Sequence, residues 1–230
     1  MAQTAVWEKE YNDKKLLAFH HEPQKDTLRF IKYLKKTHKV QLDGKTILDL
    51  GSGTGRNGNY MAKKGGTVHG IEISQTAIKI ANEQAHKLCV EKQASYYFRS
   101  FGEPLSFEDN TFDIVIDVTS SNSLNEKERE TYIKEVQRVL KPQGFFFLKT
   151  LCKDGDKNAK NLLKMHPGKE VNTYIMPDIN LVERVFSESD IISLYGNHFE
   201  ILKKEKKTTY SKINNQPYKR NFWIVYMQKS

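Results

Sequence analysis

Cysteine is nearly absent: Cys89 and Cys152 are the two in 230 residues, which excludes a disulfide scaffold and a cysteine-only zinc site. A reducing, cytoplasmic setting is therefore expected. Long apolar runs are missing as well. The most apolar stretch, Phe145-Phe146-Phe147-Leu148, is strand-sized, far below the ~18 residues that a membrane helix needs. The first ten residues already hold Glu8, Lys9 and Glu10 with no apolar core behind them, so no secretory leader is expected. There is no internal repeat and no low-complexity linker. What is present, 38% hydrophobic and 28% charged residues, suits one soluble globular domain with enough material for a sizeable core.

Charge is abundant but uneven. The net charge is +9, and residues 201–230 alone hold eight basic residues against one acidic, whereas residues 46–200 hold nineteen against twenty-one. A basic end can attract nucleic acid or an anionic surface. The sequence favours a plainer reading, in which Lys203, Lys204, Lys206 and Lys207 keep an exposed strand soluble and unpaired.

Periodicity divides the chain into an opening helical part and a strand–helix alternation. Residues 5–19 suit a short helix with Trp7 and Tyr11 on one side, and residues 24–37 a second with Leu28, Ile31 and Leu34 in a stripe. Strands follow at Thr46–Leu50, Thr67–Ile73, Ala94–Arg99, Phe112–Val118 and Gly144–Leu151, separated by helices. Ser74 is a good N-cap, and Asn125 with Glu128 three residues on is a plausible helix start. Alternation of this kind predicts an α/β fold, a doubly wound and mostly parallel sheet with helices on both faces and strand one near its middle. Residues 152–180 read as polar and irregular, with a short strand near Tyr174-Ile175-Met176. Ser187 caps a further helix. His198–Lys207 and Lys219–Gln228 then read as two strands with no helix between them, so the last should run antiparallel and bring the sheet to seven strands.

Chemistry concentrates in Ile47-Leu48-Asp49-Leu50-Gly51-Ser52-Gly53-Thr54-Gly55-Arg56-Asn57, a strand running through a glycine loop into a helix. Such loops let backbone approach a ligand at the carboxyl ends of the strands. Glu72, at the end of strand two, is placed to accept the hydroxyls of a ribose, so the pair of features points to a nucleoside-containing cofactor. The dinucleotide fingerprint G-x-G-x-x-G would need glycine where Arg56 stands. Asp49 would repel a pyrophosphate and suits a cationic ligand instead. A phosphate-binding G-x-x-x-x-G-K-[ST] loop is absent, which argues against an ATP-type site.

The glycine segment resembles motif I of the class I S-adenosylmethionine-dependent methyltransferases, and Val68-His69-Gly70-Ile71-Glu72-Ile73-Ser74 resembles their acidic second motif. Asn110-Thr111-Phe112-Asp113-Ile114-Val115 and Leu140-Lys141-Pro142-Gln143-Gly144 resemble the fourth strand and the turn into the fifth. Trp7-x-x-x-Tyr11 and Arg56-Asn57 are similar to the small-molecule branch, including tellurite-resistance-type enzymes. The resemblance covers about residues 45–150 with every element in order. It implies a Rossmann-like methyltransferase fold in a single domain over 1–230: a helical cap over 1–44, a cofactor-binding core over 45–150, and a substrate-side insertion with C-terminal strands over 151–230. It implies S-adenosylmethionine as cofactor and S-adenosylhomocysteine as product, with no metal. Asp49, Gly51, Ser52 and Gly53 would surround the methionine end. Glu72 would hold the ribose and Ile73 would lie against the adenine. Ser100 and Phe101 fall where the adenine edge is read, with Phe101 at the family's usual Asp. The Asp117 backbone would face the methionine amino group, and Trp7 and Tyr11 would form a lid.

Methyl transfer from a sulfonium needs alignment and exclusion of water more than a dedicated acid, so no catalytic residue is compelled. The segment Asp117-Val118-Thr119-Ser120-Ser121-Asn122-Ser123-Leu124 lacks the Pro-Pro-aromatic motif of amide and base methylation and the cysteine of cytosine-5 enzymes. His20 and Asp117 are candidate bases, and Asn122 is a candidate for orienting substrate. No carboxylate cluster matches a metal site of catechol type; Asp154 and Asp156 could join Asp117 around a cation, but the sequence favours a reading without metal. The expected acceptor is a small molecule. The alternative is RNA or protein methylation through the basic, aromatic-bearing C-terminal segment. Neither a membrane partner nor an oligomeric state is implied.

Overall fold

The computed structural model describes residues 3–13, 21–213 and 216–230, with the backbone alone over 211–218. Its centre is made by the five apolar runs. β1 (Thr46–Leu50), β2 (Thr67–Glu72), β3 (Ala94–Phe98), β4 (Phe112–Val118) and β5 (Leu140–Leu151) lie parallel in the order β3-β2-β1-β4-β5. A small hairpin of β6 (Thr173–Met176) and β7 (Leu181–Arg184) follows. β8 (Glu200–Ile213) and β9 (Gln216–Gln228) then complete a seven-stranded sheet. β9 inserts between β5 and β8 and is antiparallel to both. The expected doubly wound sheet with an antiparallel last strand is the one observed. Strand order reverses between β1 and β4, so the loops leaving these strands open the crevice in which such sheets hold ligands.

The central strands β1, β4, β5 and β9 bury both faces. Phe145, Phe147, Ile224 and Tyr226 pack with Phe30, Leu34 and Met61, from α2 (Lys25–Tyr33), its last turn and α3 (Arg56–Lys63). Phe146, Leu148, Trp223, Val225 and Met227 point the other way, toward α5 (Glu126–Val139) and α7 (Glu188–Tyr195). This is the period-two alternation of a strand buried on both faces. α4 (Gln75–Lys87) starts at Ser74, whose hydroxyl accepts the Ala77 amide. α5 and α7 start in capping boxes, Asn125 with Glu128 and Ser187 with Asp190. Those starts were legible in the sequence.

Differences lie at edges and in the insertion. α1 (Thr4–Asp13) is described to residue 13, and the remainder of the expected helix over 5–19 lies outside the described residues. β5 begins at Leu140 and not Gly144, because Leu140 pairs with Phe112 and the turn is absorbed inside the strand by Gln143 at φ 62°. Residues 152–180 hold α6 (Lys157–Met165) besides the strand near Tyr174. Its signal was Asp156, whose carboxylate caps the helix through the Ala159 amide.

Candidate functional site

The glycine loop closes the end of β1. Gly51 and Gly53 have φ of +65° and +54°, a left-handed region that favours glycine. Space demands it too. A Cβ on Gly51 would collide with the Ser120 side chain from the loop after β4, and one on Gly53 would lie 2.6 Å from the Tyr11 hydroxyl. The loop is thus held between the β4 loop and α1, and a cavity opens along it.

Of the residues singled out from sequence, Gly51, Ser52, Gly53, Glu72, Ile73, Ser100, Phe101, Trp7 and Tyr11 line this one cavity. Glu72 is buried at the end of β2. One carboxylate oxygen accepts the Gly53 amide at 2.9 Å, and the other accepts Ile73 and Ser74 at 2.7 and 2.9 Å. Three of the roughly four acceptor positions of a carboxylate are therefore used by backbone, leaving one for a ligand hydroxyl. Burial raises its pKa, and the three amides oppose the rise.

Asp49 stands behind the loop and not on the cavity wall. It is fully buried, and its Oδ2 has no partner among the described residues. Burial first, then the neighbouring Asp117 and Glu72, push its pKa up to about 7. Three carboxylates thus gather under the cavity, a field that favours a cation. The Ser52 hydroxyl is likewise buried without a partner. Arg56, the first residue of α3, lines the cavity and makes no ion pair with a described residue. Burial lowers its pKa, while Tyr11 and Asp49 oppose that fall. A guanidinium at a helix N-terminus is unfavourable on dipole grounds unless an anion joins it.

Asp117 and Asn122 do not line the cavity. Asp117 accepts the Ser120 and Ser121 amides at 3.0 and 3.3 Å and the Tyr132 hydroxyl at 2.7 Å. Its carboxylate, with pKa raised by burial, is enclosed. Asn122 spans from the Thr119 carbonyl to the Thr150 hydroxyl and the Leu151 amide, at 3.2, 2.6 and 3.2 Å. Both residues shape the β4 loop, in which Thr119 is held at φ 67°, a strained conformation for a β-branched side chain. His20 lies outside the described residues.

Trp7 and Tyr11 sit on α1, which is fastened by Gln3 just before its first residue and by Glu8 at its middle. The Gln3 side-chain amide pairs with both backbone groups of Val182, at 2.8 and 2.7 Å, and donates to the Ser123 carbonyl at 2.7 Å. Glu8 accepts the Ser74 and Thr76 hydroxyls at 2.7 and 2.6 Å, at the N-terminus of α4 where a carboxylate is favoured. Gln3, Gln24, Arg56, Ser120 and Glu128 are wall residues that sequence reasoning did not assign. Arg56 follows the glycines directly and had a legible signal, whereas the two glutamines reach the site only through the packing of the N-terminal segment.

No group of three His, Cys, Asp or Glu among the described residues is arranged to hold a metal. Asp156 caps α6 and accepts the Asn221 amide, and Asp154 accepts the Glu188 amide. No described helix is long and apolar enough to cross a membrane.

Residues 47–144 match the methyltransferase-domain family. The chain is 30% identical over 161 residues to phosphoethanolamine N-methyltransferase 1 of Triticum aestivum, covering 69% of this chain and 30% of that enzyme. It is 31% identical over 152 residues to human EEF1A lysine methyltransferase 2, covering 63% of this chain and 61% of the human protein. The chain thus spans less than two thirds of either relative's length, and under a third of the wheat enzyme's. The crystal structure of an S-adenosylmethionine-dependent methyltransferase from Methanosarcina mazei superposes with a TM-score of 0.70 at 26% identity, covering 84% of this chain and 95% of that one.

Proposed function

We propose that the chain is a class I S-adenosylmethionine-dependent methyltransferase that transfers a methyl group to a small-molecule nucleophile by in-line displacement. The observation that carries this reading is the glycine loop with its charges: a carboxylate field beneath, with Glu72 and an Arg56 that makes no ion pair with a described residue on the cavity wall. A sulfonium amino acid joined to a nucleoside matches each part. Glu72 would take a ribose hydroxyl, Ile73 and Phe101 the purine faces, and Arg56 the amino-acid carboxylate. The field of Asp49, Glu72 and Asp117 would favour the ammonium and sulfonium. The Asp49 and Ser52 oxygens, which have no partner among the described residues, and the glycines of the loop fit such an occupant.

When bound, S-adenosylmethionine supplies an electrophilic methyl group and leaves as neutral S-adenosylhomocysteine. The chain's own part is to bind, orient and exclude water, and alignment alone can contribute about 7–11 kcal/mol in favourable cases. Gln24, Ser120 and Ser123 give the cavity wall a neutral amide and hydroxyls suited to a small polar acceptor. We assign Asp117 and Asn122 to positioning the β4 loop and keep His20 as the candidate base. The likeness to tellurite-resistance-type enzymes, carried by Trp7, Tyr11, Arg56 and Asn57, supports the small-molecule branch. The human relative's name makes a protein acceptor the second reading. Closure of the cavity by α1 at Gln3 and Glu8 favours the first. The test is mass spectrometry of ligand carried through purification, then S-adenosylhomocysteine release with panels of small amines, thiols and hydroxy acids and with protein and RNA. Turnover with a small acceptor, unchanged by a chelator, is expected. Tight binding of NAD but not S-adenosylmethionine, or turnover confined to macromolecules, would overturn the proposal.

A further inference from the structure

The same cavity is lined by Ile73, Ser100, Phe101 and Leu124, and besides Glu72 it has one lining carboxylate, that of Glu128 on the first turn of α5. The Ser100 hydroxyl already accepts the Gly102 amide at 3.1 Å. Glu128 has one obligation: its Oε2 accepts the Asn125 amide at 3.1 Å in the capping box. Its Oε1 accepts no hydrogen bond from a described residue. The 100–102 loop lies directly on this side chain. A Cβ on Gly102 would come within 2.7 and 2.9 Å of Glu128 Cβ and Cγ, so only glycine at 102 lets the loop and the carboxylate meet at one cavity edge.

We propose that Glu128 reads the exocyclic amino group of the purine, accepting an N–H at the cavity edge while its other oxygen closes the α5 cap. The assignment rests on the adenosyl-cofactor reading above. A fixed carboxylate beside aromatic and aliphatic side chains discriminates sharply, because an amino group finds a partner there and an oxo group meets repulsion. The carboxylate thus supplies, from a helix that the glycine motif does not include, the acceptor that Phe101 cannot offer. It is a specificity residue of the cofactor site with a structural second duty.

Glutamine tests it without breaking the helix, since Gln serves a capping box as Glu does. Binding of S-adenosylhomocysteine and of its deaminated counterpart S-inosylhomocysteine would be measured by calorimetry on the full chain. The wild type is expected to prefer the adenosyl compound by about tenfold or more, the worth of one charge-assisted hydrogen bond. In Glu128→Gln the amide can donate to the oxo group, and the preference should shrink to about threefold or reverse. Asn125→Ala is the control. It weakens the cap, lowers the melting temperature and leaves the preference as in the wild type. Adenosyl binding with equal discrimination in wild type and Glu128→Gln would overturn the assignment and leave the cofactor reading standing. Failure of the wild type to bind either compound would sink both.

Discussion

Asp49 is where sequence and field meet most directly. In the ligand-free protein its pKa is raised to about 7 by burial and by Asp117 and Glu72. Without ligand the neutral form is therefore favoured only below about pH 7, and a cationic ligand favours the charged form. Affinity for S-adenosylmethionine should fall about tenfold per unit as pH drops below about 7, because the carboxylate must lose its proton to attract the cation. The stability effect has the opposite sense. A carboxylate whose folded pKa is raised contributes stability in acid, and that contribution is lost as pH rises through about 7. Asp49→Asn should thus melt at a higher temperature than the wild type at pH 8, bind the cofactor at least about tenfold more weakly and show a flattened pH profile. Titration calorimetry at pH 6 and 8 checks the affinities, and an unchanged wild-type affinity across that range would refute the assignment. At Glu72 the structure separates binding from folding. Alanine would strand the Gly53, Ile73 and Ser74 amides and cost about 1–3 kcal/mol of stability for each one left unsatisfied. Glu72→Gln keeps most of these bonds, so the two variants should both lose cofactor binding while only Glu72→Ala loses substantial melting temperature.

At the scale of elements, α1 is a strap whose fastening is side-chain chemistry. Trp7 and Tyr11, ring centroids 6.2 Å apart, face the cavity from one side of the helix, and Glu8 locks the other side to α4. Burial opposes ionisation of Glu8, but the Thr76 and Ser74 hydrogen bonds hold its pKa below the ordinary value. A depressed carboxylate stabilises above its unfolded pKa and loses that effect as pH falls through the folded one, so the strap should loosen only in acid. Glu8→Ala should release bound cofactor several-fold faster with a small change in melting temperature, since the sheet and both main cores are untouched. Stopped-flow displacement of S-adenosylhomocysteine measures this, and an unaltered dissociation rate would mean that α1 does not gate the cavity. The β4 loop is the counterpart beneath: Asp117 and Asn122 fix Thr119 in a conformation that the residue alone would avoid.

Across the whole molecule, the basic C-terminal ribbon is drawn inward. Lys204 meets Glu188 at 2.5 Å, Lys203 meets Glu205 at 2.8 Å, and Lys207 reaches Asp26, which Lys149 also holds at 3.0 Å. The charge excess near the end of the chain thus staples β8 to α2 and α7. A phosphate-binding surface would leave those ammonium groups free. RNA binding should be weak near physiological salt, without the log–log slope of about −0.7 per phosphate that single-strand contacts give. Lys203→Glu and Lys206→Glu should leave turnover intact. Lys207→Glu should cost about 2 kcal/mol, less than the ~3–5 of breaking a fully buried pair, because Lys207 is partly exposed and Lys149 stays with Asp26. Sub-micromolar, salt-steep RNA binding abolished by these reversals would favour an RNA acceptor.

Some of this was determined by sequence alone. Strand and helix periods, the caps at Ser74, Asn125 and Ser187, and the order of Asp49, the three glycines and Glu72 are local features. They fix conformation and chemistry over a few residues, and the right-handed crossover rule then carries them to the sheet order. Other features had to wait for packing. That Asp49 stands behind the wall, that Asp117 and Asn122 are consumed by their own loop, and that Gln3, Gln24 and Glu128 reach the cavity are contacts between segments far apart in the chain. The insertion over 152–180 was hard to read for the same reason. α6 and the strands β6 and β7 are nine and four residues long, too short to hold together by propensity, and exist because Leu151, Ala159, Tyr174 and Val185 share a small core. Local pattern specifies what a segment prefers; burial, which sums over distant partners, decides which of its side chains face a ligand.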